Sequence, residues 1–531
     1  MKKRISAILA AVMAACSLTA VIVACSLGSY SPLEISAVPT SQPLQTSLIS
    51  SVISATSETS PGTVTSRSTA PNTTVPPYTT AKRTTSVTPP TSYKDIRPGF
   101  ENATFDGHVF TFATPLGTGD GWADYEVYAE EGGAGIMDEA IVQRNNLLRR
   151  HYDCTVRAVD IEDGALRDDF NTNRNTVDIV LDRYGLGDKA NGDYYNLHDF
   201  EFISFKEVPW FDANFIEDMT VDGKLYALLG AFSLTSFDAT WVMFYNKTAK
   251  ENSPSLRDVD FYGLVYDGKW TLDKFYEISK LAALNGSMPL YGLASDMDGI
   301  RGLYFGAGQS FIDRSDEKNG TTAFASAFDA TAAEVTDKII SIYADVSTMI
   351  SDSASVETFM RGNTVLFSPN HLRMASYYAG KQGKYSTSLS VGILPYPALT
   401  EEQSAAREYR HAVDERFIYM CVPRTCTDLA RIIDFIEVYA YHSYYIVYKD
   451  YINLYKYTYT TDTDSAQMVD FIMNTRYFDL AYHLDLEGFD GEYTNGIRSG
   501  TNIIAEAGDS YGEAIVKAAN RYREGMKSAG Y

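Results

Sequence analysis

Short apolar runs alternate with stretches of helical periodicity over residues 99–531. The β-rich runs Val109–Ala113 and Val177–Leu181 flank a segment, 136–152, whose apolar side chains recur at helical spacing. Further strand-like runs come later in the chain, at Trp241–Tyr245, Val365–Phe367, Val391–Leu394 and Phe417–Val422. Strands that alternate with helices predict an α/β fold in which helices cover the sheets.

Two of the predicted helices have a clear start and a core-facing side. Thr271 is suited to cap a helix that places Phe275, Ile278 and Ala282 on one face. A second helix begins near Thr427 and has an apolar stripe, formed by Leu429, Ile432, Ile433, Ile436 and Ala440. From about residue 434 onward the pattern predicts mainly helix and is very rich in tyrosine.

The first 25 residues have the pattern of an export signal. Basic residues 2–4 precede an apolar run that ends in the tetrapeptide 22–25 (IVAC), which resembles the lipobox of bacterial lipoproteins. Cys25 is therefore the predicted lipidation site, and Cys16 is a weaker second candidate. An ordinary signal peptide and an N-terminal transmembrane anchor are the alternatives. Residues 26–98 are dominated by Ser, Thr, Pro and Ala, a composition that predicts a disordered linker.

Charge limits the partners of the remaining 433 residues. The chain has a net charge of −23, and residues 1–98 hold eight basic and three acidic side chains, so residues 99–531 carry −28. Such a charge disfavours nucleic acid and anionic lipid as partner surfaces. Three cysteines lie beyond the signal, at 154, 421 and 426, and an odd number disfavours a disulfide framework. A bridge between Cys421 and Cys426 stays open as an alternative to buried thiols.

A set of short segments, in order along the chain, resembles the extracellular solute-binding proteins of ABC carbohydrate importers, the maltodextrin- and multiple-sugar-binding group. The segments are 137–152 (MDEAIVQRNNLLRRHY), 207–212 (EVPWFD), 222–230 (DGKLYALLG), 240–247 (TWVMFYNK), 268–276 (GKWTLDKFY), 391–397 (VGILPYP) and 464–473 (DSAQMVDFIM). The resemblance spans most of residues 99–531.

The resemblance implies a two-lobed fold with a cleft between the lobes and a hinge that the chain crosses more than once. Lobe 1 would comprise residues 99–235 and 391–440, and lobe 2 would comprise 236–390 and the C-terminal helices in 441–531. A small solute would bind in the cleft of a monomer, and ABC permease subunits would receive it. No cofactor is implied.

Solutes of α/β proteins bind beyond the carboxyl ends of strands, and polar or aromatic residues at such places are the candidate ligand-binding residues. They are Asp120, Trp122, Asp182, Arg183, Tyr184, Asp238, Trp241, Tyr304, Gln309, Asn370, Arg373 and Asp414. Carboxylate and amide oxygens accept hydrogen bonds from sugar hydroxyls, and a flat ring packs on the C–H face of a pyranose.

Each candidate also has a structural interpretation. Asp182 and Arg183 could pair with each other or cap a turn. Trp241 could be a platform for a sugar or a core residue. Alternation along its strand leaves both faces apolar, and this favours burial on both sides.

One motif suggests an enzyme. Residues 508–512 (GDSYG) fit the Gly-x-Ser-x-Gly elbow of serine hydrolases, which requires a preceding strand and a later histidine. The last histidine in the chain is His483, so we interpret the motif as a loop before the C-terminal helix. No zinc or phosphate-loop motif occurs in the sequence. Glycoside hydrolysis by two carboxylates remains a third hypothesis.

The sequence thus predicts a lipid-anchored, non-enzymatic binding protein on the outer face of the cytoplasmic membrane. It would capture a solute, with a carbohydrate as the best match, for an ABC importer. The alternative is a surface-attached glycan-binding or sensing module without transport.

Overall fold

The computed structural model describes most of the chain from Thr104 to Ala529. The described residues are 104–116, 127–129, 136–183, 185–200, 208–283, 291–315, 323–350, 354–362, 364–380, 389–460 and 462–529. Cys25 and the predicted linker lie outside them, as do Asp120, Trp122 and Tyr184. Among the helices of these ranges, none is both long and apolar enough to cross a bilayer.

Thirteen strands lie within the described residues. They are β1 (His108–Thr114), β2 (Cys154–Asp160), β3 (Ile179–Asp182), β4 (Trp241–Asn246), β5 (Tyr291–Ser295), β6 (Ile312–Asp313), β7 (Ala325–Ser326), β8 (Thr348–Ile350), β9 (Val365–His371), β10 (Val391–Leu394), β11 (His411–Ala412), β12 (Tyr419–Cys421) and β13 (Arg476–Tyr477).

The α-helices of the same ranges alternate with these strands. They are α1 (Ile136–His151), α2 (Ala165–Thr172), α3 (Ala213–Met219), α4 (Leu234–Asp238), α5 (Lys247–Asn252), α6 (Phe261–Tyr266), α7 (Leu272–Ala283), α8 (Met297–Gly306), α9 (Ala330–Ala344), α10 (Ser355–Met360), α11 (Met374–Tyr378), α12 (Glu401–Ala406), α13 (Leu429–His442), α14 (Lys449–Leu454), α15 (Thr463–Asn474), α16 (Leu480–His483), α17 (Phe489–Ser499) and α18 (Ile503–Ala529). Two π-helical segments, Ser443–Tyr448 and Tyr455–Tyr459, join α13, α14 and the residues before α15 into one helical stretch. Short 3-10 turns lie at Ile161–Asp163, Leu186–Ala190, Leu197–Asp199 and Leu486–Gly488.

The first sheet has four strands in the order β12-β3-β1-β2. Strand β1 runs parallel to β2 and β3, and β12 is antiparallel to β3, with Tyr419 opposite Asp182. Helix α13 covers this sheet, since the ring of Phe435 stacks on that of Phe110 with centroids 3.5 Å apart. The apolar stripe that predicts α13 therefore faces the core, as periodicity requires.

The second sheet has five strands in the order β10-β4-β9-β5-β8. Strand β4 lies between β10 and β9 and is antiparallel to both, whereas β5 is parallel to β9 and β8. Every residue of β4 is buried, in agreement with its two apolar faces. Helix α7 packs on this sheet through Phe275, whose ring centroid lies 5.2 Å from that of Phe367.

The described chain passes between the two sheets three times. The first crossing leads from α4 into β4, and the second returns through β11 to β12. These two crossings lie side by side, because Thr240 and Val413 form an antiparallel bridge. The third follows the helical stretch from α13 to α15, where Ser465 accepts a hydrogen bond from the backbone N–H of Ile393 in β10 at 3.2 Å.

The α/β class predicted from the sequence is confirmed, and several local features can be compared. The hydroxyl of Thr271 caps α7 by accepting the N–H of Lys274 at 3.2 Å. Helix α13 begins at Leu429, two residues after Thr427, with Asp428 as its cap. The predicted return to lobe 1 at residue 391 differs from the structure, in which β10 pairs with β4. The other lobe limits stay a prediction.

Two sequence interpretations need correction. Cys421 and Cys426 are both free and buried, so the alternative of a bridge between them is wrong. Cys426 instead directs its thiol to the backbone oxygen of Asp178 at 3.2 Å. Residues 508–512 are helical in α18, directly after a kink at Ala507, and not in a loop. The residues before the kink are also helical, so the motif lacks the preceding strand that a nucleophile elbow needs.

Candidate functional site

Asp238 lies at the point where the chain leaves the first sheet for the second. It is the last residue of α4 and is only partly buried. Its Oδ1 accepts hydrogen bonds from the hydroxyls of Tyr451 and Tyr455, which belong to the third crossing. The two hydroxyls are themselves 3.2 Å apart. Among the described residues, no hydrogen bond reaches Oδ2 of Asp238, so this oxygen is available to another donor.

Opposing effects act on the ionisation of Asp238. Burial raises the pKa of its carboxyl above the ordinary value. The hydrogen bonds from Tyr451 and Tyr455 and the positive charges of Arg373 and His371 counteract part of that rise. Burial together with the nearby carboxylate holds the pKa of each tyrosine well above 10. The tyrosines are therefore hydrogen-bond donors throughout the range in which the protein folds.

Trp241 opens β4 and contacts the end of β9. It pairs with His371 across the two strands, and the ring centroids of the two side chains are 4.1 Å apart. The indole is only 2% exposed. This burial favours the core interpretation of Trp241 over the platform interpretation.

Asp414 lies on the second crossing and joins the same cluster. Its Oδ2 accepts from His371 Nε2 at 3.2 Å, and its Oδ1 accepts from the backbone N–H of Arg416 at 3.0 Å. Burial alone would raise the pKa of Asp414, but the His371 hydrogen bond and the charges of Arg416 and Arg301 outweigh it and lower the pKa. Asp414 is thus an ionised, fully partnered group that fixes the two crossings together.

The end of β9 adds the predicted residues Asn370 and Arg373. The Asn370 Oδ1 accepts from the N–H of His371 at 2.9 Å. Arg373 donates its N–H to the backbone oxygen of Asp238 at 3.3 Å and its guanidinium to the Tyr377 hydroxyl at 3.2 Å. Both Arg373 and Tyr377 are partly exposed. Five predicted residues therefore meet around the crossings, namely Asp238, Trp241, Asn370, Arg373 and Asp414.

Four other predicted residues lie outside this cluster. Asp182 ends β3 in the first sheet, where it pairs with Lys189 at 2.5 Å and accepts the N–H of Arg183. Arg183 is 2% exposed. The interpretation of Asp182 as a capping and pairing residue therefore fits its contacts.

Tyr304 and Gln309 have local structural contacts. The Tyr304 ring is fully buried beside Phe305, Phe311 and Tyr493, and its hydroxyl donates to the oxygen of Ser310 at 3.2 Å. Gln309 donates to the oxygen of Ala307 at 3.2 Å. In contrast to the prediction, Tyr304 is a core residue in this structure.

Sequence reasoning did not single out His371, Tyr451 or Tyr455. The i, i+4 spacing of the two tyrosines within a tyrosine-rich helix was a usable signal, because such residues share one helix face. Their helical stretch also contains the two π segments, and π-helical turns are frequent at functional sites.

Comparisons with known proteins give structural likeness only. No protein-family model matches the chain, and no curated protein matches it in sequence. Among solved structures, a family 1 extracellular solute-binding protein from Bifidobacterium longum subsp. infantis has a TM-score of 0.48 and 12% identity over 78% of this chain and 99% of its own. A sugar transporter from Rhizobium etli in an open conformation has a TM-score of 0.48 and 14% identity, covering 78% and 99%. The apo form of RafE from Streptococcus pneumoniae has a TM-score of 0.47 and 12% identity, covering 79% and 98%. At these scores and identities the likeness assigns neither a solute nor binding residues to this chain.

Proposed function

We propose that this protein captures a neutral, hydroxyl-bearing solute, a carbohydrate in the first instance, at the crossings between its two sheets. One observation carries the proposal. Asp238 holds a partly exposed carboxylate whose Oδ1 is occupied by two tyrosine hydroxyls and whose Oδ2 accepts no hydrogen bond from the described residues. A carboxylate oxygen in this state accepts a hydrogen bond from a solute hydroxyl without moving.

The surroundings of Asp238 suit such a solute. Arg373 follows β9, donates its backbone N–H to the backbone oxygen of Asp238 and hydrogen-bonds to Tyr377 of α11, and both residues are partly exposed. Tyr444 and Tyr448 of the third crossing are also partly exposed, and their rings stack with centroids 5.4 Å apart. Aromatic faces of this kind pack on the C–H side of a sugar ring. Trp241 is too deeply enclosed for that role.

The position of the site links capture to movement between the sheets. Asp238 precedes the first crossing, whereas Arg373 follows β9 of the second sheet and donates its backbone N–H to the backbone oxygen of Asp238. A solute held by groups on both sides of the crossings would favour the arrangement that brings them together. The chain would then act as a clamp with the crossings as its hinge.

The wider role rests on the ordered sequence segments quoted above. We infer delivery of the solute to the permease of an ABC importer, with the protein held on the outer face of the membrane through Cys25. A binding or sensing module without transport would use the same site. Transport genes next to the gene of this protein would favour delivery to an importer over a binding or sensing module without transport.

Cys25→Ala should abolish lipid attachment and release the protein from the membrane or leave it misprocessed. The reason is that the lipobox-like tetrapeptide 22–25 ends in Cys25, the position that such a signal acylates. Incorporation of labelled palmitate, with Cys16→Ala as the control, measures the effect. Equal labelling of Cys25→Ala and the native chain would exclude Cys25 as the anchor.

A thermal-shift panel of neutral mono- and oligosaccharides on the full chain tests capture. At a concentration of 100 times its Kd, a bound sugar should stabilise the fold by about 2.7 kcal/mol. Polyols belong in the same panel as further neutral solutes that bear hydroxyls. Anionic sugar phosphates are the contrast, because the negative charge of Asp238 disfavours anions. Stabilisation by sugar phosphates alone would contradict the proposal.

A further inference from the structure

The two tyrosines that donate hydrogen bonds to Asp238 are distant from it in the sequence. Asp238 ends the short helix before the first crossing, whereas Tyr451 lies on α14 and Tyr455 opens the second π segment. Tyr451 is 8% exposed and Tyr455 is 2% exposed. Both hydroxyls converge on the same oxygen of Asp238. The arrangement joins the first and third crossings through one carboxylate.

Converging donors have two consequences for a carboxylate. They restrict its rotation, because both hydrogen bonds must be kept on Oδ1, and this fixes the direction of Oδ2. They also favour the charged form, since a hydrogen bond donated to an anion is stronger than one donated to a neutral group. The other ionisable groups that act on Asp238 are Arg373 and His371 at the end of β9, and both favour the same charged form.

From this geometry we infer that Tyr451 and Tyr455 are positioning residues of the solute site. They favour the ionised form of Asp238 and direct its Oδ2 away from themselves and towards the solute. This inference rests on the proposed function and deepens it, because it specifies the group that the solute must present. A hydroxyl or amine can donate to Oδ2, whereas a carboxylate or phosphate cannot.

The inference also explains why the third crossing carries tyrosines and not phenylalanines at these positions. Phenylalanine would fill the same buried space and contribute the same apolar contact. Only the hydroxyls connect the helix to the carboxylate. Tyr→Phe substitutions therefore remove the positioning and keep the packing, which makes them the appropriate variants.

The first test follows the ionisation of Asp238 without any solute. Carboxyl carbon NMR of the full chain, with Asp238→Asn to assign the resonance, gives the titration midpoint in the native protein and in Tyr451→Phe, Tyr455→Phe and the double variant. We expect the midpoint to rise by about one pH unit or more in the double variant. Tyr457→Phe is the matched control, because Tyr457 lies in the same π segment but is 71% exposed. An unchanged midpoint in the double variant would overturn the inference.

A second measurement separates this inference from the proposed function. The affinity of the panel sugar that stabilises the native chain is measured for Tyr455→Phe, Asp238→Asn and the pair combined. Positioning through Asp238 predicts that the combined variant binds no more weakly than Asp238→Asn alone, since the tyrosine acts only through the carboxylate. Additive losses would overturn the positioning role while leaving capture intact. Absence of binding to every neutral sugar would contradict capture, and the NMR titration would still decide the role of the tyrosines.

Discussion

Lowering the pH from 7 to 5 should remove several kcal/mol of unfolding free energy at three histidines that are buried in their neutral form. Burial lowers the pKa of His411, His442 and His483 to about 3 in each case. An unfolded chain takes up these protons near pH 6.5. Between about pH 6.5 and pH 3 only the unfolded state binds them, so stability falls as the pH falls. Each histidine accounts for about 2 kcal/mol at pH 5.

The contacts of the three imidazoles explain why protonation is unfavourable. His411 accepts the N–H of Tyr396 on Nε2 at 3.3 Å and has the hydroxyl of Thr475 at 2.8 Å from Nδ1. Protonation of Nε2 would break the first of these bonds. His483 lies against the rings of Phe417 and Phe478, and its Nε2 has no hydrogen-bond partner among the described residues.

His483→Phe is the decisive variant for this prediction. Phenylalanine suits the aromatic surroundings and does not titrate, so the variant should keep its stability at pH 7.5 and lose about 2 kcal/mol less than the native chain at pH 5. Urea unfolding at the two pH values measures the difference. Buried carboxyls with a raised pKa, such as Asp479, favour the folded state as the pH falls. They do so equally in both proteins, so their contribution cancels when the two losses of stability are compared. Equal losses in the two proteins would show that His483 is not buried as a neutral group.

Trp241→Ala should cost about 3–5 kcal/mol of unfolding free energy, because it removes a fully enclosed indole from between β4 and β9. The ring packs on His371, which in turn holds Asp414, so the cavity would loosen the place where two crossings meet. Trp241→Phe is the control, since it keeps an aromatic ring in the same space and should cost much less.

Melting and sugar titration of these variants distinguish the two roles of Trp241. If Trp241 is a core residue, Trp241→Ala should show a large fall in melting temperature. If Trp241 is a platform, Trp241→Ala should bind the sugar more weakly by about 1–2 kcal/mol or more, with little change in melting temperature. The second outcome would contradict the assignment of Trp241 to the core.

Local patterns predicted much of this architecture. The apolar stripe from Leu429 to Ala440 became the face of α13, and the two apolar faces of the run at 241–245 became a strand buried on both sides. These features depend on periodicity, which a single sequence displays directly. The assignment of residues 508–512 to a loop failed, because a Gly-x-Ser-x-Gly pattern is compatible with a helix interior when packing supports it.

The candidate site was predictable only in part. Asp238 and Arg373 were identified because they follow or precede strands, and strand ends gather in space. Tyr451 and Tyr455 could not be assigned in this way. Their contact with Asp238 depends on the rotation of a long helix that includes two π segments, and no local pattern in the sequence fixes that rotation. Tyr304 was chosen as an aromatic residue beyond a strand end, whereas the structure places it inside α8 with its ring buried.

The central claim is that Asp238 receives the solute, and a titration with the stabilising sugar from the panel tests it most directly. Calorimetry would compare the native chain with Asp238→Asn and with Asp450→Asn, which removes the same charge from an exposed position on α14. The account predicts that Asp238→Asn binds about tenfold more weakly or worse, as expected for loss of a charge-assisted hydrogen bond, and that Asp450→Asn binds as the native chain does. Equal affinity of Asp238→Asn and the native chain would contradict it.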